Sequence, residues 1–81
     1  MKVRLKTMRT YICYKRDWEE EHIFDVMVDE QEEVILKSIH DEYEKDKSRF
    51  SYYVEVWENR KRIHWLILDK KTMELESYII A

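Results

Sequence analysis

The stretch 50-FSYYVEVWENRKRIHWLILD-69 alternates apolar and polar side chains on either side of a charged break. That period of two is the pattern of antiparallel strands joined by a short loop. With Glu58-Asn59-Arg60-Lys61 as the loop, Trp57 pairs with Arg62, Val56 with Ile63, Val54 with Trp65 and Tyr52 with Ile67. Partners across an antiparallel pair share a face. One face then carries Phe50, Tyr52, Val54, Val56, Ile63, Trp65 and Ile67, and is expected to seat a helix. The other carries Ser51, Tyr53, Glu55, Trp57, Arg62, His64, Leu66 and Leu68. On it Glu55 stands opposite His64, and Arg62 is placed to lie over the Trp57 ring. Either the chain's own N-terminal arm or a curled sheet covers Tyr53, Trp57, Leu66 and Leu68, or a second chain or partner does.

Upstream lies the helix that the first face needs. Asp29 is placed as its N-cap, with Glu32 three residues on as in a capping box. Glu30 and Glu33 add negative charge to the first turn, where the helix dipole favours it. Over 30–46 the residues Ile35, Leu36, Ile39 and Tyr43 form one apolar stripe. The basic segment around Lys45, Lys47 and Arg49 closes the helix. Before it, 8–15 and 22–28 read as two strands joined by a charged loop, and residues 1–7 as a strand start or a basic arm. After it, a last hairpin turns near Asp69–Thr72 into 73–80. A three-residue loop at 70–72 puts Leu75 and Ile79 with the core, and a four-residue loop at 70–73 puts them on the second face. The order is ββαβββ, an α+β chain with a single antiparallel β-sheet packed against one α-helix.

The 81 residues suffice for a single domain, 1–81, with a thin stability margin. An aromatic fraction of 14% helps so small a core reach adequate size. Glycine and proline are both absent. Turns must therefore be long, or place Asp, Asn or Lys in the left-handed region, and a phosphate-binding loop is excluded. The lone Cys13 cannot form an intramolecular disulfide. With no signal peptide evident, this points to a cytoplasmic setting. No apolar run approaches the ~20 residues needed to span a bilayer.

No motif for catalysis, metal or a cofactor declares itself. His40 and Glu44 stand at i and i+4 on the helix but lack a third ligand, and read as a solvated face. His22 and His64 fall on strands, where histidines are more often structural than acid–base catalysts. Cys13 has no local base or cation to activate it and reads as a packing residue. The expectation is a small non-enzymatic protein-interaction domain without a cofactor, small-molecule substrate or membrane association. It would regulate or inhibit a larger protein (a phage-type inhibitor by analogy only) and self-associate as a homodimer. Its interface would comprise Tyr53, Trp57, Arg62, His64, Leu66 and Leu68. The alternative is a single-stranded nucleic-acid-binding module that stacks bases on exposed sheet aromatics beside basic loops. A net charge of -3 weighs against it. So does topology, which sets Glu19–Glu21 and Asp29–Glu33 at the two ends of the sheet beside the basic clusters, so that the charges neutralise one another.

Overall fold

The structure, a computed structural model, describes residues 8–47 and 49–78. It contains β1 (Arg9–Arg16), β2 (Glu21–Val28), α1 (Glu32–Asp46), β3 (Ser51–Glu58), β4 (Lys61–Asp69) and β5 (Glu74–Ser77). The ββαβββ order is as the periodicity implies. All strands pair antiparallel in one sheet of order β2-β1-β3-β4-β5. β1 lies between β2 and β3, so α1 crosses over it. The expectations for residues 1–7 and for Ile79 lie outside the described residues.

The helix starts later than its sequence suggests. Gln31 is the N-cap, without a side-chain capping bond. Asp29 closes β2 instead, at φ 51°: its N–H donates to the Arg9 carbonyl and its carboxylate accepts from the Arg9 N–H. Glu32 and Glu33 supply the first-turn charge, and Lys47 ends the helix in the left-handed region. Ile35 and Ile39 are buried, and Leu36 and Tyr43 pack beside them. The sheet answers with Cys13, Tyr52, Val54, Val56 and Leu68, and Phe50, just before β3, joins them.

The pairing of β3 with β4 departs from strict alternation. Glu58 pairs with Lys61 and Trp57 with Arg62, so the turn is only Asn59-Arg60, at φ 52° and 64°. Two consecutive positive φ angles are the type I′ signature, met here without glycine. A β-bulge follows. Ile63 is the extra residue, after which Val56 pairs with His64, Glu55 with Trp65, Val54 with Leu66 and Tyr53 with Ile67. One inserted residue reverses every side chain beyond it. Leu66 and Leu68 therefore face the helix, and Trp65 and Ile67 face away. The β4–β5 loop has four residues, since Asp69 pairs with Glu74. Leu75 then lies opposite Leu68, and the bulge carries both into the core.

β2 bulges as well. Cys13 pairs with Asp25 and Tyr14 with Ile23, which leaves Phe24 as the extra residue. Phe24 and Met27 pack on the core, whereas Ile23, Val26 and Val28 stand on the other face beside Tyr14, Ile12 and Thr10.

A polar clamp fastens the helix to the sheet. Lys15 Nζ donates to Glu42 and Asp46, each at 2.7 Å, and Tyr52 Oη donates to Asp46 at 3.1 Å. The three charged side chains are only 14–17% exposed. The Lys15 hydrogen bond holds Glu42 below the ordinary carboxylate range. Burial opposes ionisation of Asp46, but the bonds from Lys15 and Tyr52 outweigh it and hold that carboxyl low too. Burial likewise opposes the charge on Lys15, and its two bonds outweigh it, raising the ammonium. Both carboxylates are thus depressed in the folded chain. Their stabilisation is complete above the ordinary carboxylate range and is lost as the pH falls through the lower folded values. The lysine's stabilisation is complete below the ordinary ammonium range and is lost only as the pH climbs through its raised value.

Lys15→Met is expected to cost about 1–3 kcal/mol near neutrality, the worth of hydrogen bonds to charged groups. The deficit narrows as wild type and variant are melted at pH values falling from about 5 to about 2, below the carboxylate range. A deficit constant across that range would contradict the clamp. Arg60→Gly is expected to raise stability by about 0.5–1 kcal/mol in urea unfolding, because a left-handed non-glycine residue costs ~1–2 kcal/mol, part of which glycine's backbone entropy takes back.

Candidate interaction surface

The sheet face away from α1 carries a ladder of rings. Tyr14 of β1 stacks on Tyr53 of β3, with centroids 5.1 Å apart and planes at 16°. Tyr53 meets Trp65 of β4 at 5.8 Å, and Trp65 meets Tyr78 edge-on at 4.7 Å. The Trp65 indole N–H donates to the Tyr14 hydroxyl, tying the ladder across β3. The Tyr78 N–H donates to the Trp65 carbonyl at 2.7 Å, which extends the β4–β5 register and seats the last ring. Burial, the leading influence, pushes the Tyr14 phenol above its ordinary value.

Two arginines lie on these rings. The Arg16 guanidinium sits 4.9 Å from the Tyr53 centroid and donates to its hydroxyl. Arg62 sits 5.1 Å from the Trp65 centroid, one ring away from the Trp57 partner expected of it. The bulge explains the exchange: it brings Trp65 onto this face, opposite Glu55. Arg62 also pairs with Glu55 at 3.1 Å, and Glu55 accepts from the Trp57 indole N–H. Tyr53 is 7% exposed, so its cover comes from this chain's own Tyr14, Trp65, Tyr78 and Arg16.

Of the six residues expected to form an interface, Tyr53, Trp57 and Arg62 do share this face. His64, Leu66 and Leu68 do not, because the Ile63 bulge turns them toward the helix side, where Leu66 and Leu68 pack with the core. His64 stands opposite Val56 rather than Glu55. Tyr14, Arg16, Trp65 and Tyr78 were missing from the expected set. Tyr14 joins through the non-local β1–β3 pairing, for which the sequence carries no local signal.

The other candidate residues have partners or surroundings of their own. His40 Nε2 donates to the Met73 carbonyl at 2.9 Å, joining α1 to the β4–β5 turn rather than facing solvent. His22 pairs with Glu20 at 2.7 Å. Cys13 is fully buried, and burial, aided by Asp25, pushes its thiol up to about 12. At one end of the sheet, Arg49 lies within ion-pair distance of Asp17 and Glu20. At the other, Arg9 pairs with Glu58 at 2.9 Å. Among the described residues, no three His, Cys, Asp or Glu side chains converge as cation ligands, and no helix is long and apolar enough to cross a membrane.

The fold and this face define a class: a small α+β protein with one helix on a five-stranded antiparallel sheet and an aromatic-arginine outer face. Compared with protein-family models, curated proteins and solved structures, the chain matches none.

Tyr14→Phe removes the acceptor of the Trp65 indole N–H. It is expected to cost about 0.5–1.5 kcal/mol, the net worth of one such bond, and to weaken the near-ultraviolet circular dichroism of the ladder. An unchanged melt and spectrum would show that the bond does not order these rings.

Proposed function

We propose that the protein is a non-enzymatic interaction domain that docks a protein partner on the outer face of its sheet. The ring ladder Tyr14–Tyr53–Trp65–Tyr78, capped by Arg16 and Arg62, carries this reading. Aromatic and arginine side chains dominate the binding energy of protein interfaces. Here they are held by hydrogen bonds and stacking before any partner arrives, which lowers the entropy cost of binding. Trp57 and Glu55 continue the surface toward the Asn59-Arg60 turn.

A nucleic-acid strand is the less favoured occupant. Base stacking needs free ring faces, whereas Arg16 lies on Tyr53 and Arg62 on Trp65. The basic clusters at both ends of the sheet lie beside carboxylates, as in the Arg49–Asp17 and Arg9–Glu58 pairs.

The test is affinity capture with the intact protein, with and without nuclease, followed by quantitative mass spectrometry. Arg62→Glu and Tyr78→Ser lie at accessible positions and are expected to keep the fold. A bound protein that survives nuclease and loses at least about tenfold in affinity to both variants is the expected result, hot-spot losses being of that size. Retention that disappears with nuclease, or that both folded variants preserve, contradicts the proposal.

A further inference from the structure

β5 ends the sheet on one side. Among the described residues β4 alone pairs with it, so one row of its N–H and C=O groups faces outward. Leu75 lies opposite Leu68 and packs on the core, which puts Glu74, Glu76 and Tyr78 on the outer face. Both glutamates are exposed, and Tyr78 is 41% exposed. Neither glutamate forms an ion pair with a described residue. Asp69, opposite Glu74, is a third carboxylate on this row, and the N–H groups of Lys71 and Thr72 already satisfy it. A strand added to this edge therefore needs a cation at every second position, with apolar side chains between to meet Leu75. A second β5 does not qualify, because it sets glutamate against glutamate.

The chain carries one segment of that composition and period. In 2-KVRLK-6, Lys2, Arg4 and Lys6 alternate with Val3 and Leu5. Its own β5 is out of reach. The segment leads into β1 at Arg9, and β3, β4 and β5 stand between β1 and the open edge. Four strand spacings of ~4.8 Å make ~19 Å, which takes about six extended residues at ~3.3 Å each. Of the eight residues before Arg9 that leaves about two, too few to line the edge from Glu74 to Tyr78.

We infer that residues 2–6 of one copy of this chain add as a strand to the β5 edge of a second copy. Laid antiparallel, as every other pair in the sheet is, the segment sets Lys6 beside Glu74, Arg4 beside Glu76 and Lys2 beside the Tyr78 ring. The outer row then holds two ion pairs and a cation–π contact. Leu5 comes opposite Leu75 on the core side and covers it. Exchanged in both directions, the contact closes on two chains and leaves neither β5 edge open. The ring ladder stays uncovered on both copies, so the pairing is independent of what docks there.

The experiment is sedimentation equilibrium of the full chain over a wide concentration range. The wild type is expected to rise from 10.3 kDa toward twice that mass, and to pair more weakly as salt is raised to about 1 M, where exposed charges are screened. Lys2→Glu with Arg4→Glu is expected to stay at the single-chain mass, and so is Glu74→Lys with Glu76→Lys. All four changes in one chain set opposite charges against each other again, and that chain is expected to regain pairing. Arg62→Glu, on the ring face, is expected to pair like the wild type. A wild type that remains at 10.3 kDa throughout overturns the inference. So does pairing that withstands either charge reversal, a fourfold variant that stays single, or pairing that Arg62→Glu abolishes.

Discussion

The bulge at Ile63 is the constraint on which the rest of the structure depends. It is one residue in β4 with no partner in β3, and it decides which half of the following strand meets the helix. Through the β4–β5 ladder the choice passes to β5, so that Leu66, Leu68 and Leu75 enter the core together. The same half-turn sends Trp65 outward, where the Tyr14 hydroxyl accepts its N–H. A buried indole N–H without a partner would be costly. The bulged register gives the aliphatic side chains the dry face and the tryptophan a polar neighbour.

A chain without glycine meets its turns by other means. Asp29, Lys47, Asn59, Arg60 and Met73 all adopt positive φ. Asn and Asp tolerate this conformation better than most residues, and their side chains add local hydrogen bonds. Arg60 and Met73 gain no such help. They are held by what surrounds them: the Glu58–Lys61 pair for Arg60, and the Met73 N–H bond to the Asp69 carbonyl together with His40 for Met73. Tertiary contacts therefore stabilise the turns, and the turns fix the registers that create those contacts.

The two faces of the sheet differ in how they are closed. The helix side is sealed by Ile35 and Ile39 and pinned by the Lys15–Glu42–Asp46 clamp. The outer side is closed only at its centre, where rings stack on rings and arginines lie across them. Toward β2 it is covered by nothing in the described chain, and apolar side chains stand in water along that edge. Two surfaces of different chemistry result. One is aromatic and cationic at the centre of the sheet, and the other is β-branched and aliphatic at its edge.

Hydrophobic periodicity by itself determined the element order, the helix stripe Ile35–Leu36–Ile39–Tyr43 and the core face Phe50–Tyr52–Val54–Val56. These are local properties: a period of 3.6 or of 2 survives whatever the rest of the chain does. The absence of glycine likewise foretold left-handed Asp, Asn and Lys. The tertiary structure alone decided the sheet order, with β1 beside β3, because strand pairing is a contact between residues far apart in the chain. It also decided the two bulges. A bulge costs one ladder position and repays it through packing on the opposite element, so nothing within 61-KRIHWLILD-69 announces it. That is why Tyr53, Trp57 and Arg62 were legible as neighbours while Tyr14, Trp65 and Tyr78 were not. It is also why Leu66 and Leu68, read as outward, belong to the core.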